Sequence, residues 1–349
     1  MKPLRYSLIV AALACGFASG QTTAYTTPVG YTTTTVYAAF GAGSPKNNVI
    51  APDLQQPASW TGTVSSIAGD VVTIDGTVTA GAYNAPSFGY GIAYSYFMET
   101  ADGYYAHVAS NTESDITVEG GMGAQYTVGE QVTIRPHVTI ADYFGAANEA
   151  GLLADPGGDA ATADNIILID EINGGTLTVM ASDALGGTWI TDAFEDAAGV
   201  PIYPDQGVQV LRRGLTPLSL VFAGEVDVNG RQIEVTSGVQ IRPYVLPVAT
   251  TLTDLGLYTG DAATGVVGSP SGDSGEADQI TVLVDGIPSN YFYSEVDLTG
   301  DGPGWYDDSL NFVGATPLPS GAALIINRSN PVNSDPFVWV NPAPVISTL

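Results

Sequence analysis

The chain has 349 residues, 45% of them hydrophobic, which is length enough for two or three domains with real cores. Nine basic residues against 36 acidic ones give a formal charge of −27, and a surface of that sign repels phosphate backbones and anionic lipid, which argues against nucleic-acid and membrane-surface roles. The 42 glycines and 22 prolines, with abundant threonine and valine, favour short strands between turns over helices.

Residues 1–20 read as a secretory leader: Lys2 and Arg5 form the charged start, Leu8 to Leu13 the apolar stretch, and Ala18-Ser19-Gly20 a small-residue cleavage site before Gln21. Its apolar run is too short to span a bilayer, and no later segment reads as a transmembrane helix. The expectation is therefore an exported protein, periplasmic, cell-surface or extracellular. Cys15, the single cysteine, lies inside the leader, so no disulfide is expected after processing. Ala12-Leu13-Ala14-Cys15 has a second reading as a degenerate lipoprotein box that would keep the thiol as a lipid anchor, with Ala12 standing where leucine is usual.

Residues 21–58 open with Thr-rich alternation and pass into a Pro/Asn/Gly stretch, which predicts one strand and a connector. From Trp60 the pattern is short strands between turn residues, Thr61 to Val64 and then Asp70 to Asp75 closed by Gly76. Phe222 to Val226, followed by Gln232 to Thr236 and Gly238, reads as the same phrase again. Ile140, Tyr143, Phe144, Ala147 and Leu152 lie near helical spacing, with Gly157-Gly158 as the expected stop. Ile166 to Ile169 is an apolar strand, Leu185 to Trp189 an aromatic hairpin, and Gly207 to Arg213 a closing strand.

Much of this order returns further along. Ile134-Arg135-Pro136-His137 is matched by Ile241-Arg242-Pro243-Tyr244, Ala163-Asp164-Asn165-Ile166 by Ala277-Asp278-Gln279-Ile280, Trp189 by Trp305, and Gly207 to Arg212 by Gly321 to Arg328. Such self-similarity predicts two homologous modules in tandem. The fold class that follows is all-β, with tandem duplicated antiparallel β-sandwich or barrel-like modules and short helical turns. The first module is expected over 59–221, with a reduced extra repeat over 96–135, and the second over 222–349.

Four motifs invite chemistry. Asp297-Leu298-Thr299-Gly300-Asp301-Gly302, with Asp308 after it, places oxygen ligands and a glycine in the order of a calcium loop. Asp308 stands where a bidentate glutamate is typical, and the paired segment Ser182 to Asp192 lacks the carboxylates, so an acidic hairpin turn is the reading expected first, with Ca2+ as the alternative and no other cofactor. Gly272-Asp273-Ser274-Gly275 spells the surroundings of a protease nucleophile, but the chain has two histidines, His107 and His137, neither in a triad context. Both rings are expected to pack beside strand ends. Asp164 and Asp278 suit Asx turns ahead of an apolar strand, and Arg135, Arg212, Arg242 and Arg328 suit strand-end ion pairs. Finally, Tyr90, Tyr94, Tyr96, Tyr104 and Tyr105 cluster as a candidate sugar-binding face.

Thr27-Pro28-Val29-Gly30-Tyr31, Ala141-Asp142-Tyr143-Phe144-Gly145 with Asn148-Glu149-Ala150-Gly151-Leu152, Ala163-Asp164-Asn165-Ile166, Val210-Leu211-Arg212-Arg213-Gly214 and Ala223-Gly224-Glu225-Val226 occur in order along nearly all of the chain after the leader. Together they resemble a paralogous family of secreted proteins from verrucomicrobial bacteria that has no assigned activity. The resemblance implies export and carries over no catalytic residue. Module two departs from it, having Thr253-Asp254-Leu255-Gly256-Leu257 without the Asn-Glu-Ala-Gly stretch.

Export, duplication, acidity and the absence of matched catalytic groups together predict a structural or binding protein of the envelope or exterior, without catalytic activity, whose partners are polysaccharide or other envelope proteins. The rivals are a carbohydrate-binding module using the tyrosines and a polysaccharide-acting enzyme with a carboxylate pair that spacing alone does not reveal.

Overall fold

The structure, a computed structural model, describes residues 28–86, 94–169, 175–182, 188–244, 250–318, 321–328 and 335–341. The leader, Cys15, Tyr90 and the Leu185-Gly186-Gly187 part of the first hairpin lie outside them.

The described chain opens with β1 (Val29–Val36) and β2 (Lys46–Ile50). Six strands follow: β3 (Trp60–Ala68), β4 (Val71–Asp75), β5 (Tyr96–Thr100), β6 (Tyr105–Asn111), β7 (Asp115–Val118) and β8 (Gln131–Pro136). They close into a barrel in the order β3-β4-β7-β6-β5-β8. Period-two alternation fills its interior, with Val64, Val72, Ile74, Met98, Val108, Ile116, Val132 and Ile134 buried together. Closure leaves no free edge for another chain to pair with.

Beyond the barrel come β9 (Val138–Thr139), helix α1 (Ile140–Phe144), β10 (Asn165–Ile169), β11 (Thr176–Ser182), β12 (Thr188–Thr191), β13 (Pro201–Ile202), β14 (Val208–Arg212) and β15 (Leu218–Glu225). The remaining strands are β16 (Arg231–Val235), β17 (Gly238–Pro243), β18 (Thr250–Thr251), β19 (Gln279–Val284), β20 (Ile287–Ser294), β21 (Gly304–Asp307), β22 (Pro317–Leu318), β23 (Ala323–Arg328) and β24 (Phe337–Asn341).

These make one antiparallel topology twice. Module one has a five-stranded sheet in the order β12-β11-β10-β14-β2, module two one in the order β21-β20-β19-β23-β17. The ribbon β1–β15 answers to β16–β24, and β9–β13 to β18–β22. In each module the ribbon covers one face of the sheet. Val36, Leu220 and Phe222 pack against Ile166, Leu168, Val208 and Val210 in the first, and Ile233, Val235 and Trp339 against Ile280, Val282, Leu324 and Ile326 in the second.

The strand pairing departs from the sequence reading at several points. Over 21–58 the sequence predicts one strand and a connector; the described part, 28–58, has two strands, both paired into module one, β1 with β15 and β2 with β14. The barrel is thus inserted between β2 and β9, whereas in module two β17 leads directly to β18. Ile134-Arg135-Pro136 belongs to barrel strand β8, so the counterpart of β17 is β2, and the two Ile-Arg-Pro phrases share only the run into the next short strand. Residues 96–135, read as a reduced repeat, make β5 to β8 of the barrel. Trp60 to Val64 and Phe222 to Val226 are likewise unrelated, one in the barrel and the other in a ribbon. The expected helix stops early, at Gly145 with φ 88°, after a capping box in which Asp142 N donates to Thr139 Oγ1 at 3.1 Å and Thr139 N to Asp142 Oδ2 at 2.9 Å. Module two keeps the cap, Asp254 N to Thr251 Oγ1 at 3.2 Å, over turns in place of a helix.

The matched Asp and Arg positions hold each sheet together. Asp164 Oδ2 accepts from Leu153 N at 2.6 Å while Asp164 N donates to Leu153 O, and the fully buried carboxylate pairs with Arg212 at the end of β14. Asp278 repeats this with Val267 N at 2.9 Å and Arg328 Nε at 3.2 Å. The Asx-turn expectation is replaced by a longer clasp, from the start of a strand to a loop eleven residues earlier and to the end of the neighbouring strand. The strand-end arginines do form ion pairs: Arg135 with Glu99 and Glu225, and Arg242 with Asp205 at 3.6 Å.

The modules meet reciprocally. Val49, Ala51, Ile241 and Ala323 form a shared cluster, flanked by Ile169 from one module and Leu283 from the other. Gly207 N donates to Ile241 O at 3.1 Å, and Ala51 N to Gly321 O at 3.0 Å. The pattern is that of a two-fold pair of subunits joined in one chain.

Candidate functional site

A cavity of about 710 Å³ opens where the barrel and both modules meet. The barrel contributes Tyr104, Tyr105 and His107 around the start of β6 and Glu119 after β7; module one contributes Tyr203, Asp205 and Gln206 from the β13–β14 turn; module two contributes Glu234 on β16 and Gln240 and Arg242 on β17. The reciprocal contact has a counterpart cavity of about 220 Å³, where β1 and β2 of module one meet the β19–β20 hairpin. Its lining of Thr33, Thr34, Thr35, Tyr37 and Asn48 with Leu283 and Gly286 contains no charged side chain. The barrel faces only the larger of the two and supplies its aromatic wall.

Each group in that wall is set by the fold. Alternation along β6 puts Tyr105 and His107 on one side of the strand. The Tyr105 hydroxyl bonds to Asp205, and burial, followed by that carboxylate's charge, pushes the phenol well above its ordinary range. Asp205 also faces Arg242, whose Nη1 donates to the Asp205 carbonyl at 3.1 Å. Glu119 Oε1 accepts from His107 N at 3.3 Å; burial raises its carboxyl, the N–H opposes this, and the charge of Asp205 raises it further. Glu119 and Asp205 are therefore near enough to sense one another across the cleft.

Behind the wall, His107 Nδ1 and His137 Nε2 lie 3.0 Å apart. Tyr94 stacks on His107 at 4.9 Å between centroids and 7°, Phe97 stacks on His137, and Tyr203 of module one closes on His107 at 4.2 Å. Burial lowers His107 to about 4 against the opposing charge of Asp205, and lowers His137 well below its usual value with help from His107 and Arg231. At neutral pH both rings are neutral and share one proton between them. The Tyr96 main chain opposes the lowering of His137 by a hydrogen bond to the ring. One of the two facing ring nitrogens donates and the other accepts.

A polar layer beneath joins barrel to modules. Arg135 bridges Glu99 of the barrel and Glu225 of β15, Gln55 Nε2 donates to Asp227 at 2.8 Å, and Arg231 Nη2 donates to Asp227 at 2.8 Å while its Nη1 reaches the Pro204 carbonyl. Burial raises the Glu99 carboxyl and Arg135 opposes that. The layer fixes the turn that carries Tyr203 and Asp205.

Of the tyrosines singled out in the sequence, Tyr104 and Tyr105 line the cleft. Tyr94 and Tyr96 are half-buried, Tyr94 on His107 and Tyr96 against Tyr83 at 4.9 Å, so the described tyrosines do not share one flat exposed strip. The calcium-like residues lie on an exposed loop. Asp297 Oδ1 accepts from Thr299 N and Gly300 N, Thr299 Oγ1 donates to Asp301 at 2.8 Å, and Asp308 accepts from Asn290 across the β20–β21 hairpin. Among the described residues no group of three or more His, Cys, Asp or Glu is placed to hold a metal ion. Ser274 sits on a single 3-10 turn capped by Asp273, while both histidines lie at the barrel seam. No helix among the described residues is long and apolar enough to cross a membrane.

Glu119, Tyr203, Asp205, Gln206 and Glu234 escaped the sequence reading. Tyr203-Pro204-Asp205-Gln206-Gly207 signals a turn and nothing more, and the other two are single acidic residues in an acidic chain. No family model matches this chain, and comparisons with curated proteins and with solved structures find no match either.

Proposed function

We propose that the chain is an exported, non-catalytic binding protein of the cell envelope or exterior that takes a carbohydrate in the cleft between the barrel and the two modules. The observation that carries this reading is the composition of one wall set: the rings of Tyr104, Tyr105 and Tyr203 beside amides and carboxylates, in a cavity of about 710 Å³. Sugar rings present apolar faces and a girdle of hydroxyls, and a site of this size with aromatic faces and a few fixed polar groups matches both. The leader-like first residues and the resemblance to a secreted family support export.

Asp205 is committed to Tyr105 and Arg242, which favours recognition over turnover, since a nucleophile or general acid needs a carboxyl free to meet substrate. A polysaccharide-acting enzyme is the second reading, and the mutual influence of Glu119 and Asp205 favours it. Calorimetric titration with soluble oligosaccharides, alongside an assay for newly released reducing ends, separates the two. Binding that Tyr203→Ala weakens at least tenfold, with no release of ends, supports the proposal. Release of ends that Glu119→Gln abolishes would sink it in favour of the enzyme.

A further inference from the structure

The cleft is rich in hydrogen-bond acceptors. Several of its buried donors bond inside the protein: Gln206 Nε2 to the Ile169 carbonyl, Gln240 Nε2 to the Thr236 carbonyl, Arg242 Nε to Gln240 Oε1 at 3.1 Å and Nη1 to Asp205, and the Tyr105 hydroxyl to the same Asp205. The Tyr104 hydroxyl, half-buried, goes to the Met122 carbonyl at 3.0 Å. Beside these donors the wall offers acceptors.

The clearest is Gln206 Oε1. A carbonyl can only accept, so the bond to Ile169 fixes the amide nitrogen on that side and leaves the oxygen on the other. That oxygen has no partner, although the residue is 3% exposed and lines the cleft. A buried acceptor left unpaired is costly, and a bound donor recovers that cost. Glu119 accepts one main-chain N–H and has capacity beyond it, and Glu234 stands exposed at the rim. Three carboxylates in the lining face one guanidinium, inside a chain of charge −27.

Resting on the carbohydrate reading, we infer that the cleft selects a saccharide bearing a protonated amine, of the glucosamine type, over neutral sugars. The ammonium supplies donors and charge together: it meets Glu119 and Gln206 Oε1, and its sugar ring lies against the tyrosines. An anionic sugar meets the carboxylates and is rejected.

Titration of the full chain with glucosamine tetramer, N-acetylglucosamine tetramer and cellotetraose, at a pH where the free amine is protonated, tests this. The expected order puts the free-amine tetramer about tenfold or more tighter than the other two, with the advantage shrinking as salt rises. Glu234→Gln, at an exposed position that does not threaten folding, and Glu119→Gln should each lower the free-amine preference several-fold. Equal binding of cellotetraose and the free-amine tetramer overturns this inference and leaves the carbohydrate reading standing; no binding of any of the three overturns both.

Discussion

Gly207 and Gly321 stand at the same point of the two modules, and each presses the other module where a side chain has no room. A Cβ on Gly207 would lie 2.2 Å from Ile241 Cγ2 and 2.8 Å from Ala323 Cβ, and one on Gly321 would lie 2.1 Å from Thr34 Oγ1. Gly321 also has φ 69°, which disfavours any other residue. The glycines matched in the sequence repeat thus set the distance between the modules, and with it the width of both cavities.

Gly207→Ala is expected to destabilise the chain by about 1–3 kcal/mol, because the added methyl must push Ile241 and Ala323 apart inside a packed seam. Gly120→Ala, where nothing lies within 4 Å, serves as the control and should leave the urea midpoint unchanged. An equal shift from the two substitutions would show that the seam is not packed as described.

The histidine pair makes stability depend on pH. His107 is lowered from its ordinary 6.5 to about 4, so the unfolded chain takes up a proton at a pH where the native one does not. Its contribution is fully present above pH 6.5 and drains as pH falls toward 4, a loss on the order of 3 kcal/mol. Denaturant midpoints measured through this window should fall for the natural chain and flatten for the His107→Asn, His137→Asn double variant.

Removing one member of a matched ion pair leaves the charge of the other uncompensated in the core. Asp278→Ala is expected to cost about 3–5 kcal/mol by taking its buried carboxylate from the Arg328 guanidinium, which keeps the carbonyls of Val235 and Asp335. Asp278→Leu combined with Arg328→Met should cost less than the single change, and urea unfolding of the variants compares them. If the single change proves the milder one, the clasp is not what joins β19 to β23.

The Asp297 loop satisfies its own carboxylates through Thr299 N, Gly300 N and Thr299 Oγ1. Thermal unfolding with excess calcium and with chelator is expected to give one midpoint, since a cation that binds the native state must raise it. A rise with calcium that Asp297→Asn removes would establish a metal site there.

The sequence carried the strands and the duplication because both are local or recurrent: alternation in Ile166 to Ile169 and Ile280 to Val284, and phrases such as Ala163-Asp164 and Ala277-Asp278, are visible without knowing what pairs with what. Partner choice is not local. Nothing in Lys46 to Ile50 points to Val208 to Arg212, and Ile134-Arg135-Pro136 imitates β17 closely enough to hide the barrel's place between β2 and β9. The cleft was illegible for the same reason, as Glu119, Asp205 and Glu234 come from three separate parts of the chain and meet only through the inserted barrel.

That insertion also orders how the protein comes into being. The barrel strands are contiguous and can close as soon as they leave the ribosome, but β1 and β2 emerge earlier still and wait for β15 and β14, made long afterwards. The sequence of β1 suits the wait: Thr32 to Thr35 is a run of hydroxyls that stays hydrated and resists sticking to other nascent chains, then docks once its late partner arrives. Strand β1, made long before β15, is among the last to find its neighbour.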